Sequence, residues 1–306
     1  MNYLVTGGCG FIGSHLVDAL LAQGNGVRAM DDLSTGRLEN LAPRAELVRG
    51  DVADPAAVRA AMAGMDGCFH LAAIASVVRC EQDWAGAHAT NLGGAIAVLQ
   101  AARNRRLPVV YASSAAVYGN GAPGLIRESS PVAPISAYGA DKLGCEHHAA
   151  IGSASFGIPT LGLRLFNVYG PRQDGASPYS GVISLFCDRL SRGAPITING
   201  DGQQTRDFVY VGDVVAAMLA GMARLPGTPR VMNVCTGRAV SVLELARTVG
   251  ALCGVRPAAE HGPARTGDIA ASCGDPALMQ ASLGLAAGTT LAEGLRRTVA
   301  RTSLAA

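Results

Sequence analysis

Three glycines, Gly7, Gly10 and Gly13, follow directly on the apolar run Tyr3-Leu-Val-Thr6 and lead into an amphipathic stretch. A chain that passes from strand to helix through glycines at this spacing has few architectures open to it. Glycine lets the backbone turn tightly and approach a ligand, and the N-terminus of the next helix is a natural seat for a pyrophosphate. An ordinary glycine turn is the competing explanation in a chain with 39 glycines. The strand before and the helix after favour a dinucleotide site.

The rest of the first half extends that beginning. Short apolar runs alternate with longer amphipathic ones, which predicts βαβ units and an α/β fold with a Rossmann-like, doubly wound parallel sheet. Strands are expected at Tyr3–Thr6, Val27–Met30, Glu46–Arg49, Cys68–Leu71, Val109–Ala112 and Thr160–Leu165. Asp54-Pro55 predicts an N-cap followed by proline at the first helical position. Asp83 to Arg106 reads as one long helix, and Ser136 as the cap of another. After about Gly170 the pattern loosens into Gly170-Pro-Arg-Gln-Asp-Gly-Ala-Ser-Pro178. Later helices are announced by the capping boxes Ser241-Val-Leu-Glu244 and Thr290-Leu-Ala-Glu293. The expected organisation is a Rossmann domain over 1–170 and a smaller α/β domain over 171–306. Segments near 205–235 are expected to return to the first domain, and the active site to lie in the cleft between the two.

Composition removes several classes of function. Charged residues are 16% of the 306 and the net charge is +2, too balanced to point to nucleic acid or a membrane surface. No apolar stretch reaches the ~20 residues that span a bilayer. No leader pattern precedes the first strand, so a cytoplasmic location is expected. The eight cysteines scatter from Cys9 to Cys273 without a Cys-x-x-Cys pair, which favours reduced, mostly buried thiols. His147-His148 is adjacent rather than spaced for one helix face, and no metal site is expected.

The chemistry is carried by Tyr138 and Lys142 in Ser136-Ala-Tyr-Gly-Ala-Asp-Lys142. Residues i and i+4 share a helix face, so the ammonium can lie near the phenol. A free phenol titrates near ~10, and a nearby positive charge favours phenolate, a usable base near neutrality. Such a pair also falls on many solvated helix faces by chance; behind a nucleotide-binding N-terminus it reads as an acid/base pair. Asp31, 18 residues after Gly13 and just past the second strand, stands where a ribose-binding carboxylate belongs. An acid there accepts from ribose hydroxyls and repels a 2′-phosphate, which favours NAD over NADP. Asp32 could take this task instead. Asp51 could reach the adenine amino group, or simply shape the approach to a helix.

Together these residues resemble the extended short-chain dehydrogenase/reductase family, and within it the nucleotide-sugar 4-epimerases. The resemblance runs through Thr6-Gly-Gly-Cys-Gly-Phe-Ile-Gly-Ser-His15, Asp31-Asp-Leu-Ser-Thr-Gly36, Gly50-Asp51, His70-Leu-Ala-Ala73, Ala112-Ser-Ser-Ala-Ala-Val-Tyr-Gly119, Arg164-Leu-Phe-Asn-Val-Tyr-Gly-Pro171 and Gly200-Asp-Gly-Gln-Gln-Thr-Arg-Asp-Phe208. It covers nearly the whole chain, and the ordered set is more specific than any one block. It implies NAD as cofactor, contacted by Gly7, Gly10, Phe11, Ile12, Gly13, Asp31, Asp32, Asp51, Val52, Leu71, Ala72, Ala73, Asn91, Ser113, Tyr138 and Lys142. Ser114 takes the place of the family's catalytic serine, or merely closes a strand turn. Asn91 either supports the cofactor region or is purely structural.

For the substrate, a UDP-sugar, the resemblance implies Ser114, Tyr138, Asn167, Arg206, Arg265, Asp268 and Ser272. Arg206 suits a diphosphate because a guanidinium binds oxyanions bidentately, unless it forms a local ion pair with Asp207. Ser272, four residues after Asp268, stands where members confined to glucose and galactose carry tyrosine. A small residue there leaves room for an N-acetyl group, or else Ser272 only caps a loop. The resemblance also implies a homodimer built on the helices of 83–106 and 136–153. Dehydrating or decarboxylating relatives carry an acidic residue in the serine segment, where this chain has Ala115 and Ala116. Alanine cannot titrate, so hydride transfer plus Tyr138 is favoured: C4 epimerisation through a 4-keto sugar. Alternatives are a uronic-acid 4-epimerase, a nucleotide-sugar ketoreductase, and a non-catalytic cofactor-sensing protein, which would be expected to lack Tyr138 or Lys142.

Overall fold

The computed structural model describes residues 1–120, 124–175, 181–225, 230–264 and 269–302. They group into two compact units. The first comprises Met1–Gly119, Val132–Leu165 and Val215–Met232; the second comprises Asn120–Pro131, Phe166–Val214 and Asn233–Ala306.

The first unit is built on a sheet whose strands β1 (Asn2–Thr6), β2 (Gly26–Asp31), β3 (Glu46–Arg49), β4 (Gly67–His70), β5 (Val109–Ser114) and β6 (Thr160–Leu165) pair in parallel. Its order is Arg230–Val234, β6, β5, β4, β1, β2, β3. The chain runs outward from β1 to β3 and then crosses back to β4 on the other side of β1. That reversal opens a crevice at the carboxyl ends of β1 and β4, where α/β sheets place their ligands.

Parallel strands covered on both faces read as unbroken apolar runs. Leu4 and Val5 are fully buried, and every residue of β6 is buried. Leu4, Met30, Val58, Met62, Val98 and Val109 form one core cluster to which the helix α2 (Pro55–Met62) contributes, while α1 (Phe11–Ala22) packs on β1 and β2. Each such side chain contributes roughly 1.5–3 kcal/mol on burial. The expected caps form: Asp54 accepts from Ala56 N at 2.8 Å, with Pro55 next.

The expected single helix over Asp83–Arg106 is a helical run of changing type. Two short helices, α3 (Val77–Gln82) and α4 (Trp84–His88), are capped by Ser76 and Asp83. A π turn at Ala89–Gly93 then leads into α5 (Gly94–Ala102) and a 3-10 turn at Arg103–Arg105. The extra residue of a π turn re-aims side chains. Here it carries Asn91 inward, where it is 1% exposed and its Oδ1 accepts from Ile74 N at 2.8 Å. α6 (Ala137–Phe156) is capped by Ser136, which accepts from Gly139 N at 3.1 Å.

In the second unit, Asn167–Tyr169, Thr205–Tyr210, Ala239–Ser241 and Ala271–Ser272 form a four-stranded sheet, and Ile196–Asn199 pairs with Ala259–Gly262. The helices Val182–Ser191 and Val242–Cys253 pack together, burying Ile183, Phe186, Leu190, Leu245 and Val249. Ser241 accepts from Glu244 N and Thr290 from Glu293 N, so both N-caps form. All eight cysteines are free thiols, and seven are buried. Among the described residues no helix is long and apolar enough to cross a membrane, and no cluster of His, Cys, Asp or Glu could hold a metal ion.

Candidate active site

The glycine loop owes its shape to contacts only hydrogen permits. Gly7 has φ +70°, and a Cβ there would lie 2.8 Å from Ala72 N. A Cβ on Gly13 would lie 2.0 Å from the Gly7 carbonyl oxygen. Gly10 is the N-cap of α1 and offers no side-chain cap, and no acidic residue stands in the first turn. The first N–H groups of α1, beginning at Phe11 and Ile12, are therefore directed toward whatever anion approaches. The N-terminal end of this helix is electrostatically positive.

Asp31 ends β2 beneath this loop. It is 6% exposed; Oδ2 accepts from Cys9 N and Oδ1 from Leu33 N, both at 2.9 Å. Asp32 instead closes a local turn, Oδ1 accepting from Ser34 N and Oγ. Asp51 caps its own turn through Ala53 N at 2.8 Å, the local alternative considered for it, while Val52 is buried against Gly94. Across the crevice, Thr6 Oγ1 accepts from Leu71 N and Ala72 N, and Ala73 follows. With both lone pairs engaged, the Thr6 hydroxyl donates to His70 Nδ1 at 2.8 Å. Burial, reinforced by the Lys142 charge, pushes the His70 imidazole down to about 3. It is a neutral brace under Leu71–Ala73.

Lys142 is 3% exposed; its Nζ donates to Ala112 O at 2.9 Å and lies 5.7 Å from the Tyr138 ring centroid. The first turn of α6 approaches the turn Ala115–Tyr118 so closely that a Cβ on Gly139 would meet Ala116 O at 2.7 Å. Ser114 begins that turn, its Oγ accepting from Ala116 N at 3.1 Å. The packing thus brings Ser114, Tyr138 and Lys142 to one place, and neither Ala115 nor Ala116 adds a carboxylate to it.

Sequence reasoning missed what stands behind this trio. Ser113, expected at the cofactor, is 2% exposed and its hydroxyl donates to Glu146 Oε1 at 2.5 Å. Arg164 grips Glu146 with two bonds, Nε to Oε1 at 2.8 Å and Nη2 to Oε2 at 2.7 Å, while Nη1 donates to the Tyr118 hydroxyl at 2.8 Å. Both charged groups are buried. Burial works against the Arg164 charge, but the bonds and charge of Glu146, with Tyr118, leave its pKa above the ordinary arginine value. The available signal was spacing: Glu146 is one turn past Lys142 and two past Tyr138.

The second unit holds the remaining described residues. Arg206 and Ser272 are register partners on adjacent parallel strands, so their side chains share a face of the sheet. Ser272 is 8% exposed, and Arg206 Nη1 donates to Thr205 O at 2.8 Å. Asp207, on the opposite face and fully buried, accepts from Thr236 N and Oγ1, Gly237 N and Gly274 N. It knits three strand ends together, a structural role with its own partners. Asn167 Nδ2 donates to Asp207 O at 3.3 Å. Arg265 and Asp268 lie outside the described residues.

Comparison with known proteins points to one family. Residues 3–235 match the NAD dependent epimerase/dehydratase family. The UDP-glucose 4-epimerase of Mycolicibacterium smegmatis is 37% identical over 98% of this chain and 97% of its own. The structure of the Thermotoga maritima UDP-glucose 4-epimerase with UDP-glucose superposes with a TM-score of 0.95 at 35% identity, covering 98% of both chains. The UDP-N-acetylglucosamine 4-epimerase of Methanobrevibacter ruminantium, in complex with UDP-N-acetylmuramic acid, gives a TM-score of 0.91 at 32% identity, covering 98% of this chain and 97% of that one.

Proposed function

The chain belongs to the NAD dependent epimerase/dehydratase family, and from that premise we propose that it inverts C4 of a UDP-hexose. The observation that carries this reading is the trio Ser114, Tyr138 and Lys142, with alanine at both neighbouring positions where a second acid would stand. Tyr138 takes the proton from O4 and later returns it. Ser114 hydrogen-bonds that oxygen and relays the proton. Lys142 favours the phenolate and holds the nicotinamide ribose.

The residues present fit NAD. The Gly7–Gly13 loop and the uncapped start of α1 would hold its pyrophosphate, and Asp31, already anchored by two amides, its adenosine ribose. When bound, NAD supplies reversible hydride exchange at C4, so that the sugar passes through a 4-keto form. The first unit is the cofactor domain in this reading and the second the nucleotide-sugar domain. Arg206 and Asn167 hold the sugar diphosphate, joined by Arg265, while Asp268 meets the nucleoside or serves as a structural partner. Ser272 borders the C2 substituent and admits N-acetylated sugars beside the plain hexoses. Exposed Ile96 on α5 and Ile151 on α6 support a homodimer through those helices, and eight unpaired thiols support a cytoplasmic enzyme.

The test is proton NMR after incubation with UDP-glucose, UDP-N-acetylglucosamine and UDP-glucuronate. Galacto-configured products without net NADH release are expected. Accumulated 4-ketone with an equivalent of NADH would replace epimerisation by net oxidation, and dependence on added NADPH would replace it by a reductase reaction. Tyr138→Phe deletes the base but keeps the ring, so kcat should fall roughly 10²–10⁴-fold with NAD still bound. Near wild-type turnover in that variant would refute the assignment.

A further inference from the structure

Both flanks of Ser114 end on the same buried ion pair. Ser113, its neighbour in β5, donates to Glu146, and the turn that Ser114 opens closes on Tyr118, whose hydroxyl accepts from Arg164. Glu146 lies on the stripe of α6 that carries Tyr138 and Lys142. Lys142 is itself tied to β5 through Ala112 O. The helix of the acid/base pair is therefore fastened to the strand of the serine at two points one turn apart. Fastened at one point a helix can still slide or rotate; fastened at two it keeps its register.

A bidentate Arg–carboxylate contact fixes direction as well as distance. Its desolvation cancels much of its Coulombic gain, so net stability is a poor account of why charge is buried here. We propose that the Glu146–Arg164 pair, with Ser113 and Tyr118, is a positioning device for the reaction: it holds Ser114 at the separation from Tyr138 and Lys142 that proton transfer at the sugar oxygen requires. None of the four needs to touch the sugar, and the effect is transmitted through Ser114 and α6. The inference rests on the roles proposed above for Ser114, Tyr138 and Lys142.

The experiment compares Arg164→Lys, Glu146→Gln and Ser113→Ala for kcat, KM for the UDP-sugar, retained NAD and thermal midpoint. Lysine keeps the charge at 164 but loses the fork. A displacement near 1 Å costs on the order of 10²-fold in rate, so Arg164→Lys and Glu146→Gln should lower kcat ~10–100-fold. KM and NAD content should stay within about twofold, because substrate and cofactor contacts are untouched. Ser113→Ala leaves both charges paired and should lose a smaller, still measurable part of kcat, recovered in Ser113→Thr. It carries the test alone if either charge variant does not fold. Unchanged kcat with a lowered midpoint would reduce the network to a structural prop and overturn the proposal, as would a rise confined to KM. Tyr138→Phe separates the two readings. If it stays active, the acid/base assignment itself has failed; if it is inactive while the three network variants turn over normally, only the positioning role falls.

Discussion

The region of the first unit proposed for the cofactor and the region of the second proposed for the sugar are built by different means. In the first unit the groups proposed to meet the ligand are mostly backbone: a glycine loop, a helix start and two strand ends, with Asp31 held by the amides of Cys9 and Leu33. In the second they are side chains brought level by strand pairing, Arg206 beside Ser272, steadied by the buried carboxylate of Asp207. A backbone site tolerates change in most side chains but not an added methyl. A side-chain site reverses this: its frame survives substitution while its ligand preference moves.

The sharpest break in that contrast is Gly13→Ala. A Cβ 2.0 Å from the Gly7 carbonyl forces the loop apart, and overpacking of this kind costs about 3 kcal/mol or more, so NAD affinity should fall ~100-fold or beyond. Fluorescence titration with NAD on the refolded, cofactor-stripped protein measures it. Unchanged affinity would mean that this loop does not carry the pyrophosphate.

Arg206→Ala is the mirror experiment. Loss of charge-assisted bonds to a diphosphate should raise KM roughly 10–100-fold while NAD content stays at the wild-type level. If NAD is lost as well, the two halves are not separable in this way.

A third test asks whether the backbone site also depends on a side-chain brace. His70 titrates far below a free imidazole, so the unfolded chain takes up a proton below about 6.5 that the native chain refuses until about 3. The contribution is intact above pH 6.5 and is lost as pH falls through this window. Between pH 7 and 5 the loss should be about 2 kcal/mol. His70→Gln should flatten that limb in denaturant unfolding; an identical slope would show that other groups govern it.

The smallest effect is the most specific. Ser272→Tyr should lower kcat/KM about tenfold for N-acetylated substrates and little for the plain hexoses, since a ring would occupy the room an acetamido group needs. Equal losses on both would remove Ser272 from the pocket wall.

What could be read in advance follows the same division. The strands β1 to β6, the caps at Asp54, Ser136, Ser241 and Thr290, and the i,i+4 relation of Tyr138 and Lys142 depend on residues close in the chain. Periodicity and capping express local sterics and hydrogen bonding, so they are visible without a structure. The expected helix over Asp83–Arg106 failed in detail at Asn91, because the π turn answers to Ile74, a partner 17 residues away.

The sequence by itself determined that a glycine-rich βα unit opens the chain, that a tyrosine and a lysine share one helix face, and that no acid stands at 115 or 116. Tertiary structure alone decided that Asp31 rather than Asp32 lies anchored beneath the loop, that Ser272 registers with Arg206, and that Ser113, Glu146, Arg164 and Tyr118 close into one buried network. The physical reason is range. A propensity acts over one turn of helix or a few residues of strand, whereas a buried carboxylate is satisfied by whichever donor the fold carries to it.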